Sequence, residues 1–306
     1  MDYCVGILSG VLLLSVVGLF AVWLVHFANL PVSRRMLGCH GYGSNHVKDD
    51  YVKIRARRRV PVDSLKDEVY DHWNTLLQDL SWNPRETALV IVDTWASHTC
   101  KAQNDRSNLA SPVINDIANY LRAKGSLVIF ALGGGEKLYR THPALKWVKD
   151  LPDRNMRKAN RHKDPPFPLI IHGDNDGCQT EHDVSWNYKV HPSITIQSED
   201  AILHETKGWW PDQSQTLWNI IQHRHIKNLI YVGDATNMCV PGRPYGIKVA
   251  VTWGLNVVLV RETTHIMYNP LTDVPYTSYE DAQELMLEFL EKFWCSTISS
   301  TDVTKT

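Results

Sequence analysis

Residues 227–261 read KNLIYVGDATNMCVPGRPYGIKVAVTWGLNVVLVR. An apolar run at 229–232 ends in Gly233-Asp-Ala-Thr-Asn-Met-Cys239, a helix-length stretch follows, and a second apolar run at 257–260 comes after Gly254. A short apolar run bounded by Gly, a helix and another run is the pattern of a βαβ unit with parallel strands. Cys239 falls at the carboxyl end of the first strand, on the edge where open α/β sheets bind ligands. A helix beginning there would stabilise a thiolate and lower its pKa. Cys239 is therefore a candidate nucleophile. The plain alternative is a buried core cysteine.

Two other strand ends carry chemistry. Thr87-Ala-Leu-Val-Ile-Val-Asp93 is a fully apolar run ending in a carboxylate, as expected of a buried parallel strand. A short strand at 201–204 leads to Lys207. In a parallel sheet these ends open on one edge, so a carboxylate, an amine and a thiol can converge from distant positions. The carboxylate can take the thiol proton and the ammonium can hold the thiolate. Read singly, Asp93 is equally a helix cap or loop residue, and Lys207 a surface lysine.

The rest of the chain supplies the frame. The reading places helices at 63–80 (Val69, Trp73, Leu76, Leu77 and Leu80 near helical spacing), 115–123, 215–223 and 279–294, and a further strand at 127–132. Gly133-Gly-Gly135 lacks phosphate-loop spacing and reads as a turn. Residues 136–200 form an irregular insertion or lid with short helices. The expected architecture is α/β: a three-layer αβα domain over 62–298 with a mostly parallel sheet of about six strands. Residues 299–306 read as a frayed tail.

Composition excludes some functions. The 32 Lys and Arg against 33 Asp and Glu give no global reason to expect nucleic acid. Six Cys show no CxxC pair or regular spacing, so neither a structural zinc site nor a disulfide framework is expected, and a reducing compartment fits. The N-terminus is different in kind. Residues 5–25 carry no charge, and an apolar helix of that length spans a bilayer core of about 30 Å. Residues 1–30 are read as a transmembrane anchor and 31–61 as a basic linker. Arg34, Arg35, Lys48, Lys53, Arg55 and Arg57 to Arg59 then put the body on the cytoplasmic side of the membrane. The same basic stretch is suited to anionic headgroups.

From 85 to 295 the chain resembles the isochorismatase-like cysteine hydrolases, which include nicotinamidases, N-carbamoylsarcosine amidases and ureidoacrylate amidohydrolases. The resemblance is carried by Ala88-Leu-Val-Ile-Val-Asp93, by Lys207 with Thr216-Leu217, by Gly233-Asp-Ala-Thr-Asn-Met-Cys239-Val240 and by Gly254-x-x-Val257. It implies Cys239 as nucleophile, Asp93 as base and Lys207 as the cation that stabilises thiolate and transition state. It also implies a cis bond between Asp234 and Ala235, and an oxyanion hole from the amides of Ala235 and Cys239. Asn237 and Met238 would border the pocket, with Trp95, His98, Trp209 and Trp210 as further lining or, equally, as core and surface residues. The implied reaction cleaves a small amide or ureide, needs no cofactor, and belongs to proteins that commonly form homo-oligomers. The metal-binding Asp-x-His of the nicotinamidase branch is missing, since Arg140 precedes His142 by two, so no metal is expected. An enol-ether hydrolase of the isochorismatase type, a catalytically silent membrane-tethered module and a redox-sensing thiol are the rival readings.

Overall fold

The computed structural model describes residues 51–62, 73–156, 164–172, 176–180, 184–204 and 213–304. Its organising feature is an eight-stranded sheet. Strands β1 (Val52–Pro61), β2 (Trp73–Trp82), β3 (Thr87–Val92), β5 (Leu127–Ala131), β7 (Ala201–Ile202), β8 (Asn228–Gly233), β9 (Asn256–Val260) and β10 (Ser296–Ile298) lie in the order β2-β1-β10-β9-β8-β3-β5-β7. From β10 to β7 every pairing is parallel. β4 (Trp95–Ser97) and β6 (Asn187–Val190) form a separate antiparallel pair above the carboxyl edge.

The central strands are buried on both faces because their apolar runs are unbroken. Alternate residues go to opposite sides. Val90 and Val92 join a core with Leu217, Ile220 and Ile221 of α3 (Gln213–Arg224) and Met286 and Leu290 of α6 (Tyr279–Phe293). Leu89 and Ile91 face Ile114, Ile117 and Leu121 of α1 (Lys101–Ala123). The remaining helices are short: α2 (Pro143–Lys149), α4 (Cys239–Gly242), α5 (Ile247–Thr252) and α7 (Ser300–Thr304). The three-layer α/β arrangement is that expected, but the sheet has eight strands, six parallel and an added antiparallel pair.

That added pair corrects the reading of 52–82. Val52, Ile54 and Ala56 alternate with exposed Lys53 and Arg55 and bury their side chains, so the end of the supposed linker is a half-buried strand. Residues 73–80, expected as helix, belong to strand β2, which pairs with it in antiparallel register from Trp82 opposite Val52 to Trp73 opposite Pro61. Residues 63–72 of the expected helix lie outside the described residues. Two of the basic residues, Arg57 and Arg59, are spent within the fold. Arg57 Nε donates to Glu291 at 2.6 Å and Arg59 Nε to the same carboxylate at 3.3 Å, while Arg57 and Arg59 reach Glu284 and Glu288 at 2.9 Å each. Glu291 is fully buried and also accepts from Thr297. Just before the segment read as a frayed tail, β10 pairs with both β1 and β9, and within that segment residues 300–304 form α7.

Two further expectations are corrected. No helix among the described residues is long and apolar enough to cross a membrane, and residues 1–30, on which the anchor was placed, lie outside them. The structure gives no support for a membrane-anchored, cytoplasm-facing protein. Second, Cys100 and Cys178 form a disulfide, with Cα atoms 5.8 Å apart. The fold brings together two cysteines separated by 78 positions, a pairing with no sequence spacing to announce it.

Candidate active site

The site forms where β8 and β3, neighbours in the sheet, end together. Gly233 takes φ +101°, and a Cβ there would lie 2.0 Å from the Val92 carbonyl oxygen, so only glycine lets the two chains approach. Past it, the Asp234 amide donates to that carbonyl at 3.0 Å, and the Asp234–Ala235 peptide is cis. Side chains brace this loop. Ser107 Oγ donates to Asp234 Oδ2 at 2.7 Å, the His265 amide to Asp234 Oδ1 at 3.0 Å, and Asn237 exchanges hydrogen bonds with the Met267 backbone at 2.8 and 2.9 Å. Asn237 is thus a buried strut rather than a pocket wall. Met238, Ala235 and Met267 pack against the Cys100–Cys178 disulfide, which backs one wall of the site.

Asp93 and Cys239 meet. Asp93 follows β3 at φ +46° and is 4% exposed. Its Oδ1 accepts the Gly133 amide at 2.6 Å, and Tyr245 Oη donates to both carboxylate oxygens at 3.3 Å. Arg243 Nε stands 3.8 Å from Oδ2, and the Cys239 thiol lies beside the carboxylate and interacts with it. Burial raises the Asp93 pKa; the Gly133 amide, Arg243, Cys239 and Tyr245 pull it back without cancelling the shift. For Cys239, burial and then the Asp93 charge push the thiol up to about 12, with Arg243 opposing.

This corrects the expected lowering of the thiol pKa by a helix N-terminus. α4 has only four residues, so its aligned dipoles are few, while burial and the neighbouring carboxylate both favour the neutral thiol. The cation that offsets them within the described residues is Arg243, four positions past Cys239. Burial works against its charge, but Cys239, Tyr245 and Asp93 keep its pKa raised.

A cavity of about 190 Å³ opens over this pair. Trp95, His98, Asp234, Ala235 and Met238 line it, together with Arg243. Trp95 and His98 stack with ring centroids 6.0 Å apart, and Trp186 meets both rings edge-on or tilted. The wall is therefore aromatic but the cavity is not filled by it. Lys207, Trp209 and Trp210 lie outside the described residues. Among the described residues, no group of three or more His, Cys, Asp or Glu is arranged to hold a metal ion.

Sequence reasoning missed Arg243, Tyr245 and Trp186 as neighbours of the site. The first two had a trace: both sit just beyond Cys239 on the same strand-end turn. Trp186 arrives through β6, which pairs with β4 across 88 positions or more and leaves no local pattern.

No protein-family model matches the chain. It is 25% identical over 186 residues to the ureidoacrylate amidohydrolase RutB of Klebsiella pneumoniae subsp. pneumoniae, a match covering 53% of this chain and 67% of that protein. RutB of Klebsiella variicola gives the same figures. Among solved structures, it is similar to a cysteine hydrolase from Pseudomonas syringae pv. phaseolicola (16% identical, 73% of this chain and 92% of that one, TM-score 0.47). An isochorismatase family protein from Burkholderia thailandensis is 19% identical over 72% of this chain and 97% of its own, with TM-score 0.41. The curated relatives by sequence are ureidoacrylate amidohydrolases, one of the groups named for the sequence resemblance.

Proposed function

We propose that this chain, a relative of the isochorismatase-like cysteine hydrolases, cleaves a C–N bond of a small amide or ureide through an acyl-thioester on Cys239. The observation that carries the reading is the electrostatically coupled pair of Cys239 and buried Asp93 facing one open cavity. A retired binding module would have no physical reason to keep a carboxylate against a thiol in a buried place, where both raise each other's cost.

The steps follow from the protonation states. Asp93 starts ionised and Cys239 neutral. As the thiol sulfur attacks the carbonyl carbon, its proton passes to Asp93, whose burial-raised pKa makes it a competent acceptor. Negative charge moves to the carbonyl oxygen, held by the amides of Ala235 and Cys239. Asp93 returns the proton to the leaving nitrogen, the C–N bond breaks, and ammonia or an amine departs. Water then attacks the thioester, giving one proton to Asp93. The C–S bond breaks, the sulfur recovers that proton, and the acid is released. Arg243 stabilises the negative charge that passes through sulfur and carboxylate. Lys207, by the sequence resemblance, is the second cation.

The test is turnover of a panel of small amides and ureides by Cys239→Ala, Cys239→Ser, Asp93→Asn and Lys207→Met. Each is expected to lose at least about a hundredfold in kcat. Full turnover by both Cys239 variants would sink the assignment.

A further inference from the structure

A ring of contacts runs around the cavity and passes through one covalent bond. α1 starts from its cap Cys100, and its first turns bring Asn104 and Ser107 to the cavity. Ser107 Oγ donates to Asp234 in the loop that leads to Cys239. In that same loop Asn237 holds the Met267 backbone. Met267 packs on Gly177, where φ is +79° and a Cβ would lie 2.6 Å from the Met267 carbonyl oxygen. Cys178 follows, and its sulfur returns to Cys100. Asp176, just before Gly177, lines the cavity as well. Ala235 and Met238, on either side of Asn237, pack against the disulfide itself.

Weaker links join the same two segments. Thr180 Oγ1 accepts from the Ala102 amide at 3.3 Å, and Arg106 donates to Gln179. Neither Cys100 nor Cys178 takes part in the two cores that pack on the faces of the sheet. Without the bond the sheet and its helices therefore keep their packing, and the slack falls on the cavity wall: on the start of α1, on residues 176–180 and on the loop before Cys239. A reacting group misplaced by about 1 Å costs about a hundredfold in rate. The bond is also chemically selective. Once joined, both cysteines are 1% exposed, which shields them from reductants. The Cys239 thiol, held neutral by burial and by Asp93, is a poor attacker of an external disulfide.

We propose that Cys100 and Cys178 are a positioning pair, and that oxidative closure of their bond brings the Cys239 site to its working geometry. The oxidant is a small-molecule or protein disulfide. One cysteine thiolate attacks it and expels a thiolate; the second attacks the mixed disulfide and expels the other. Cys100 and Cys178 together lose two protons and two electrons, and the oxidant is reduced to two thiols. This replaces the reducing setting that composition suggested with an oxidising one. The proposal rests on the hydrolase reading for its turnover arm alone. Full-length protein refolded without oxidant is compared with the same protein after oxidised glutathione. Two double variants, Cys100→Ser with Cys178→Ser and Cys100→Ala with Cys178→Val, are treated in the same way. With native circular dichroism throughout, closure is expected to raise kcat at least about tenfold on the amide panel and to change KM less. Iodoacetamide should alkylate Cys239 at pH 8 at least about threefold faster in the open form, because a looser wall buries the thiol less. Both double variants should match the open form and not respond to glutathione. An alkylation rate equal within twofold in the open and closed forms, or a folded double variant that behaves like the closed form, would overturn the positioning role. So would unfolding of every open form, which would make the bond a staple of the whole fold. If alkylation responds to closure but no amide is turned over, the hydrolase reading fails and the positioning role stands.

Discussion

Replacing Arg243 by Met tests whether the electrostatics of the site are those the structure shows. The guanidinium stands 3.8 Å from the Asp93 carboxylate and acts directly on the Cys239 thiol. Two unit charges at about 4 Å interact by about 4 kcal/mol at an effective dielectric near 20. The Arg243 side chain is 34% exposed, so solvent screening reduces this to roughly 1–2 kcal/mol, about one pKa unit. The sign is fixed. Losing a proton from the Cys239–Asp93 pair adds negative charge beside the cation, so removing the cation raises the thiol pKa from its already elevated value near 12. Alkylation by iodoacetamide, followed by peptide mass spectrometry from pH 6 to 10, reads the thiolate directly. Cys239 is the informative residue, because Cys295 is buried and Cys100 and Cys178 are joined. Its alkylation rate should climb through the alkaline range in the parent and fall about tenfold at pH 8 in Arg243→Met. Arg243→Lys, which keeps the charge but not the planar fork, should lose less. A rate unchanged within twofold, or faster, would refute the assignment of Arg243 as the cation that offsets Asp93.

Two stability predictions come from the frame. Gly233→Ala should cost at least about 2 kcal/mol in urea unfolding, since positive-φ strain is joined by a backbone contact of 2.0 Å; Gly134→Ala, at φ +79° with open space for a Cβ, should cost only about 1 kcal/mol. Glu291→Ala should destabilise by about 3 kcal/mol, because it leaves Arg57 and Arg59 facing a void where the buried carboxylate stood. A midpoint equal to the parent's would show that the β1 arginines do not depend on that carboxylate.

The legible parts of the sequence were those where one periodicity dominates. β3, β5, β8 and β9 are apolar runs buried on both faces, and the carboxyl ends of β3 and β8 mark the positions of Asp93 and Cys239 in the sequence itself. The misread parts carried two periodicities or none. In β1, the arginines that read as a membrane-flanking charge run are the solvent side of an alternating strand, and they meet the acidic face of α6. In β2, Trp73, Leu76, Leu77 and Leu80 satisfy a helical spacing, but the neighbouring strand supplies the hydrogen-bond ladder and tertiary pairing overrides the local pattern. β10 has three residues, too few for periodicity to show. The disulfide and the Trp186 wall depend on contacts between residues 78 or more positions apart, which local sequence does not record.

The central claim is a covalent one, and intact-protein mass spectrometry tests it most directly. Wild-type protein quenched in acid during turnover of an amide or ureide that it hydrolyses should carry one acyl adduct. Peptide mapping should place the adduct on Cys239, and Cys239→Ala should show neither adduct nor turnover. Turnover without an adduct in the wild type, together with activity retained in Cys239→Ala, would contradict the account.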